Sequence, residues 1–453
     1  MGYEPGKWFK KAIDHANEFN LRGDDLRTYL DTVQPHYINP YEAPKPYFSN
    51  IRAEGKTEVD NIAKVHQSMD ELMKTPTLVT GAVMPDACPT GSVGTIPVGG
   101  IAVAQNAIHP AMHSADICCS VMASSFGIID PRKVLDQAHK VTHFGPGGRR
   151  DPFPLPKSLA LKMEANKYLR DDSIMYVAET HLGTQGDGNH FLFVGQSSNT
   201  GETYMVTHHG SRGVGAKLYK KGMQLAERFR KELSPKSNPK NAWIPFDTQE
   251  GQDYWEALQI VREWTRLNHE LLHNASLDGL GLEKGFRFWN EHNFVFKKDD
   301  LFYHAKGATP LDDVFVPDST DGLRLIPLNM AEPVLVVKGK TTEKNLGFAP
   351  HGAGRNISRS QHKRNQGERS VQEIFNEETK GLDIRFYSKN VDISELPSAY
   401  KNANAVKEQM EEFDLGEIVD EIIPYGCIMA GDWQKDAPWK KKARKRIKSS
   451  KKS

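Results

Sequence analysis

Cysteine is scarce in this chain: Cys88, Cys118, Cys119 and Cys427 are the four among 453 residues. Two of them are adjacent, which is poor geometry for a mutual bridge. A disulfide scaffold is thereby excluded, and the expected compartment is the reducing cytoplasm. Each cysteine is read as a ligand, a nucleophile or core filler. Long apolar runs are also missing. None approaches the roughly 20 residues that span a bilayer, so no membrane partner is expected. The opening "MGYEPGKWFKK" lacks the apolar stretch of a signal peptide, and Gly6 stands where myristoylation wants Ser or Thr. Net charge is small, +1, but unevenly spread. Residues 440–453, "KKKARKRIKSSKKS", hold nine Lys and Arg and no acid, which leaves 50 basic against 58 acidic residues elsewhere, a net of −8. Such a tail is expected to be disordered and suits a polyanion.

What is present is an ordinary globular composition, 38% hydrophobic and 26% charged. No internal repeat is visible. Residues 1–56 mix short helical stretches with Pro and Tyr and read as an N-terminal extension. Residues 57–75 carry Ile62, Val65, Met69 and Leu72 at helical spacing. From 78 to 130 the chain is rich in Gly, Val, Ile and Ala, which predicts short strands joined by glycine turns. Helices are predicted over 157–170, 215–233 and 250–276. Between them lie strand-like runs, "NHFLFVG", "YMVTHHG", "HNFVF", "LFYHAKGA" and "VLVVKG". Strand and helix alternate irregularly. The expected fold is α+β, one large mixed domain of sheets flanked by helices over 57–433, not a doubly wound sheet. Residues 434–453 form the tail.

Several strand ends each deliver one or two soft or borderline donors. They are "SADICCSV" (Asp116, Cys118, Cys119), "GDGNHFLF" (His190), "VTHHGSRG" (His208, His209) and "FYHAKGAT" (His304). Asp, Cys and three His suffice for one closed site or for two ions sharing a thiolate. Affinity order favours zinc over manganese for such N/S ligands. "HELLH", His269 to His273, is a competitor. It matches the zinc-protease pattern of two histidines one helical turn apart with a glutamate between them. Its third ligand is not obvious, because Glu291 lies eighteen residues on in a strand-like run. A different histidine, His351, stands alone before glycines and arginines in "FAPHGAGRNISRS".

Taken in order, these segments resemble the RtcB family of RNA-splicing ligases over roughly residues 78–431. The resemblance rests on "MPDACPTGSVGTIPVGG", "SADICCSV", "GNHF", "HHGSRGVG", "HNFV", "HAKGAT", "HGAGRNISR" and "LPSAYKN". It implies that His351 is a nucleophile that attacks the α-phosphorus of GTP and carries GMP, with Asp86 orienting it. A neutral imidazole suits that role. The resemblance also implies two manganese ions held by Asp116, Cys119, His190, His208 and His304, with Cys119 bridging. Nucleotide contacts fall to Asn189, Asn329, Met330, Gly352, Ala353, Gly354 and Tyr400. Arg212, Lys306 and Arg355 are candidates for RNA or phosphate contacts. The implied reaction joins an RNA end bearing a 2′,3′-cyclic phosphate or 3′-phosphate to a 5′-hydroxyl end.

The chain departs from the family pattern around the base. Phe193 stands where the family places a guanine-binding glutamate, and Met429 where it places a lysine. Leu328, Asn329 and Ala331 replace Gly, Ser and Gly. Cys88, Ser120 and Ala305 replace His, Gly and Arg. The implied alternatives are therefore altered nucleotide use, with ATP admitted, or 3′-end capping. Lesser alternatives are a metal- or RNA-binding paralogue that does not ligate, and the protease.

Overall fold

A computed structural model describes Tyr3 and residues 7–433. The basic tail predicted over 434–453 lies outside the described residues. A curled sheet of twelve strands organises the molecule. Across it the strands run Phe48–Ser49, Leu78–Cys88, Val98–Gln105, Leu301–Lys306, Arg287–Lys298, Cys119–Ser125, Thr203–His209, Phe191–Ser197, Glu417–Met429, Val334–Lys338 and Arg324–Pro327. Asp383–Phe386 also pairs with Glu417–Met429. Two pairings are parallel, Phe48–Ser49 with Leu78–Cys88 and Asp383–Phe386 with Glu417–Met429. The other neighbours in this sheet are antiparallel. A doubly wound fold needs parallel strands linked by crossover helices, so this sheet belongs to a mixed α+β architecture, as the irregular alternation predicts.

Helix Gln249–Asp278 follows from its apolar spacing. Tyr254, Leu258, Val261, Trp264, Asn268 and Leu272 recur at three- and four-residue steps and are all buried. Thr248 caps its start by accepting a 3.1 Å hydrogen bond from the Gly251 N–H. The Trp264 indole N–H donates to the Ala178 carbonyl at 3.0 Å, so the ring fills the core without stranding its polar atom. Helix Lys157–Ala165 is shorter than predicted. Asn166 ends it: its side-chain oxygen accepts from the Tyr168 N–H at 3.0 Å, a local turn that competes with helix. In the extension, helices Lys7–Glu18 and Gly23–Val33 precede Phe48–Ser49, which joins the sheet edge. Among the described residues no helix is long and apolar enough to cross a membrane.

The sheet has two differently used faces. Phe302 meets Phe246 and Trp255 on the face covered by the long helix. On the opposite face, Phe191 meets His208. That second face carries the site. Trp264→Ala should lower unfolding stability by about 3–5 kcal/mol in urea titration; a change below about 1 kcal/mol would mean the ring does not fill the core as described.

Candidate active site

Asp116 and Cys119 sit at the start of strand Cys119–Ser125, with Cys118 in the left-handed region between them (φ 57°). The turn brings the Asp116 carboxylate and the Cys119 thiol into one cluster. Gly210 makes room for it, because a Cβ there would lie 2.2 Å from Asp116 Oδ1. Cys119 Sγ is 3.2 Å from His208 Nε2 and 3.6 Å from His190 Nε2. His190 Nε2 is 3.1 Å from Asp116 Oδ2, and His208 Nε2 is 3.2 Å from His292 Nε2. Two groups of three donors result, Asp116–Cys119–His190 and Cys119–His208–His292, and Cys119 belongs to both.

The outer nitrogens set the tautomers. His190 Nδ1–H donates to the Gln185 carbonyl at 2.6 Å, and His208 Nδ1–H donates to the Asn189 carbonyl at 3.2 Å. Each Nε2 lone pair is thereby turned toward the thiol. Burial lowers the pKa of His208 to about 3 and pushes that of His292 well below its usual value. Burial, with Asp116 adjacent, pushes the Cys119 thiol well up. Neutral imidazoles, a carboxylate and one shared sulfur make a donor set that fits a pair of divalent ions, and ligation would displace the thiol proton.

His304, expected in that set, is elsewhere. It lies on the helix-covered face with Phe302, its Nε2 accepts from the His109 N–H at 2.9 Å, and its Nδ1 lies 3.3 Å from the Ala102 carbonyl. Both nitrogens are occupied, so no lone pair remains for an ion. His292 stands in its place. The ladder between Cys119–Ser125 and Arg287–Lys298 slips here: Cys119 pairs with Asn293 and Ser120 with Glu291, and His292 is the extra residue of a bulge. The bulge aims His292 at the cluster.

The protease pattern is also not a metal site. His269 lies between the hydroxyls of Thr207 (2.6 Å) and Ser120 (3.0 Å), and His273 between those of Thr207 (2.8 Å) and Ser124 (2.8 Å). Glu270 pairs with Arg266, and Glu291 with Arg262. The four imidazole nitrogens of His269 and His273 are thus all taken up by buried hydroxyls.

His351 follows the short strand Phe348–Pro350. Its Nδ1 is 2.5 Å from Asp86 Oδ2, and the same oxygen accepts from the His351 backbone N–H at 3.0 Å. Its ring lies 5.0 Å from that of His292, which lies 5.1 Å from His208. A histidine row thus runs from His351 into the donor cluster. Gly354, at φ +72°, closes the loop on Asp86; a Cβ there would be 2.0 Å from the Asp86 carbonyl oxygen.

A cavity of about 360 Å³ opens beside His351 and His208, within the range for a small-molecule site. It is lined by every expected nucleotide contact, namely Asn189, Asn329, Met330, Gly352, Ala353, Gly354 and Tyr400, and also by Arg355. Arg355 pairs with Glu395 at 2.7 Å and lies over the Tyr400 ring at 4.5 Å. Arg359, the second arginine after His351 and a phosphate partner by its chemistry, lines it too, as does Cys427; Glu395 and Phe191 also line it and were not singled out from sequence. Arg212 and Lys306 point inward. Arg212 donates to Thr184 and to the Gly145 carbonyl, while Lys306 donates to Thr90 and to the Ile96 carbonyl. Burial lowers the Lys306 amine to about 8. Both are scaffold contacts here.

The RtcB family, described as tRNA-splicing ligase RtcB, matches residues 159–430. A protein named tRNA-splicing ligase RtcB from Pyrococcus abyssi is 27% identical over 289 residues, 54% of this chain and 31% of that protein. Those of the same name from Aeropyrum pernix and Archaeoglobus fulgidus are 28% identical over 290 and 284 residues, each covering 54% of this chain and 58% of the relative. The matched stretch therefore spans from about a third to somewhat over half of these relatives' length. His292→Ala should lose bound manganese by elemental analysis, whereas His304→Ala and His269→Ala should keep it; metal loss in His304→Ala alone would reverse the assignment.

Proposed function

Since the chain belongs to the RtcB family, we propose that it is an RNA ligase that works through a nucleotide carried on His351. One observation carries the reading: His351, held by Asp86, lines a cavity of about 360 Å³ and adjoins the histidine row of the donor cluster. With Nδ1–H given to Asp86, the Nε2 lone pair is the nucleophile. It forms a bond to the α-phosphorus of a nucleoside triphosphate as the bond to the bridging oxygen breaks and pyrophosphate leaves with the electron pair. Nε2 has no proton to shed in this tautomer. Asp86 stabilises the positive charge that the ring acquires.

Asp116, Cys119, His190, His208 and His292 are proposed to hold two divalent ions, manganese or zinc. When bound, these supply Lewis-acid stabilisation of phosphate charge. Arg355 and Arg359 lie at the cavity edge, where guanidinium groups suit phosphate oxygens. In the second half of the reaction, an oxygen of an RNA 3′-phosphate, the end left when water opens a 2′,3′-cyclic phosphate, bonds to the phosphorus on His351 as the P–N bond breaks and its electron pair returns to Nε2. A 5′-hydroxyl then attacks that phosphate and displaces the nucleotide. Helix-face His304, His269 and His273 take no part.

The protein incubated with manganese and α-labelled nucleoside triphosphate should take up acid-labile, base-stable label. It should join an RNA with a 2′,3′-cyclic phosphate to one with a 5′-hydroxyl. His351→Ala should abolish both while keeping its metal content. Asp86→Asn should cut labelling by about 100-fold or more, because the ring loses its orienting acceptor. Full labelling of His351→Ala would overturn the nucleophile assignment.

A further inference from the structure

The cavity has a polar end and an apolar end, and the strand register says which is which. Phe191 lies opposite His208 on one side and Met429 on the other, so that row adjoins the donor cluster. Two residues further along, about 7 Å away, Phe193 lies opposite Val206 and Cys427. A nucleotide whose α-phosphate meets His351 must run its base toward this second row. The cavity's buried apolar lining includes Phe193, Leu328, Met330, Val334, Cys427 and Met429, each at most 5% exposed. None carries a charge or a strong hydrogen-bonding group.

Among the cavity's described lining residues the one carboxylate is Glu395; its Oε2 is hydrogen-bonded and its Oε1 faces the Arg359 guanidinium. Glu395 accepts from Arg355 and Tyr400 at 2.7 and 2.6 Å and pairs with Arg359 at 2.7 Å. Asn329 is the polar side chain of the 327–334 wall. Its side-chain oxygen accepts from the Ala331 N–H at 2.9 Å, which leaves a ligand its two amide N–H groups and the second lone pair of that oxygen. Guanine presents two N–H donors, at N1 and N2, beside its O6 acceptor on its pairing edge, and selecting it takes a carboxylate that faces both donors. These walls supply none. Adenine presents one ring-nitrogen acceptor beside an amino N–H donor on the corresponding edge, so the Asn329 amide, which both donates and accepts, suits either purine.

We propose that this site takes purine nucleoside triphosphates without selecting guanine, holding the base by shape and stacking. The proposal rests on the nucleotidyl-histidine reading above. An apolar pocket separates close analogues by roughly 10–200-fold, whereas a site built of matched hydrogen bonds separates them by about 10⁴ or more.

The test is the initial rate of protein labelling from α-labelled ATP and GTP, each below saturation, with manganese. The expected rates lie within about 200-fold of each other. In parallel, AMP and GMP without added metal should raise the melting temperature of the protein to a similar extent. Phe193→Glu and Met429→Lys, two independent variants, should each move the labelling ratio toward GTP by at least about tenfold. A wild-type preference for GTP above about 200-fold, with GMP alone raising the melting temperature, would overturn this inference and leave the ligase reading standing. Absence of label from either nucleotide would overturn the nucleotidyl-histidine reading and this inference with it.

Discussion

One oxygen of Asp86 receives both the ring N–H and the backbone N–H of His351. That pair of hydrogen bonds fixes the tautomer, the rotamer and the loop at once. Everything on the reactive side follows from it, because an imidazole pinned at Nδ1 presents its other nitrogen as a directed lone pair. Strand Leu78–Cys88 supplies the aspartate, and the glycine at 354 allows the loop to approach it. Lys401 reinforces the junction by donating its amine to the Pro85 carbonyl and its backbone N–H to the Gly354 carbonyl. His351, the proposed nucleophile, is therefore tied into the sheet's own hydrogen bonding, although it sits on a loop.

The donor cluster is positioned by the same economy. Cys119, His208 and His292 come from three adjacent strands, and His190 from the residue before a fourth. Antiparallel pairing brings their ends together, and backbone carbonyls at Gln185 and Asn189 hold two of the rings. Behind the cluster, on the helix-covered face, lies a second set of histidines that is chemically silent. The His209 ring stacks on His269 at 3.5 Å, and His269 and His273 share the Thr207 hydroxyl. The sheet thus separates the histidines whose nitrogens face the Cys119 thiol from His269 and His273, whose nitrogens face hydroxyls. Sequence spacing alone does not distinguish the two kinds.

Much of the site was legible because the chemistry sits in short blocks. Asp116-x-x-Cys119, the glycine-flanked His190 and His208, and His351 before its glycines all announce themselves by residue type and neighbours. His292 did not. It lies in the strand-like "HNFVF", and only the bulge opposite Cys119 and Ser120 turns it toward the cluster. A bulge is a feature of pairing between distant segments, so a linear pattern cannot display it. His304 shares the strand-end setting of the other donors and the resemblance points to it, but its actual partners, the His109 N–H and the Ala102 carbonyl, lie about two hundred residues away. The inward turn of Arg212 and Lys306 was hidden for the same reason. The fold class was readable from the irregular order of strands and helices; the order of strands in the sheet, set by contacts between remote segments, was not.

The central claim is that a histidine nucleophile and an ion-binding cluster share one face of the sheet. Anomalous diffraction from crystals soaked in manganese tests it most directly. The account predicts two peaks flanking Cys119 Sγ, one beside Asp116 and His190 and the other beside His208 and His292, with His351 Nε2 facing them across the cavity. Peaks at His304, at His269 and His273, or nowhere near Cys119 would contradict it.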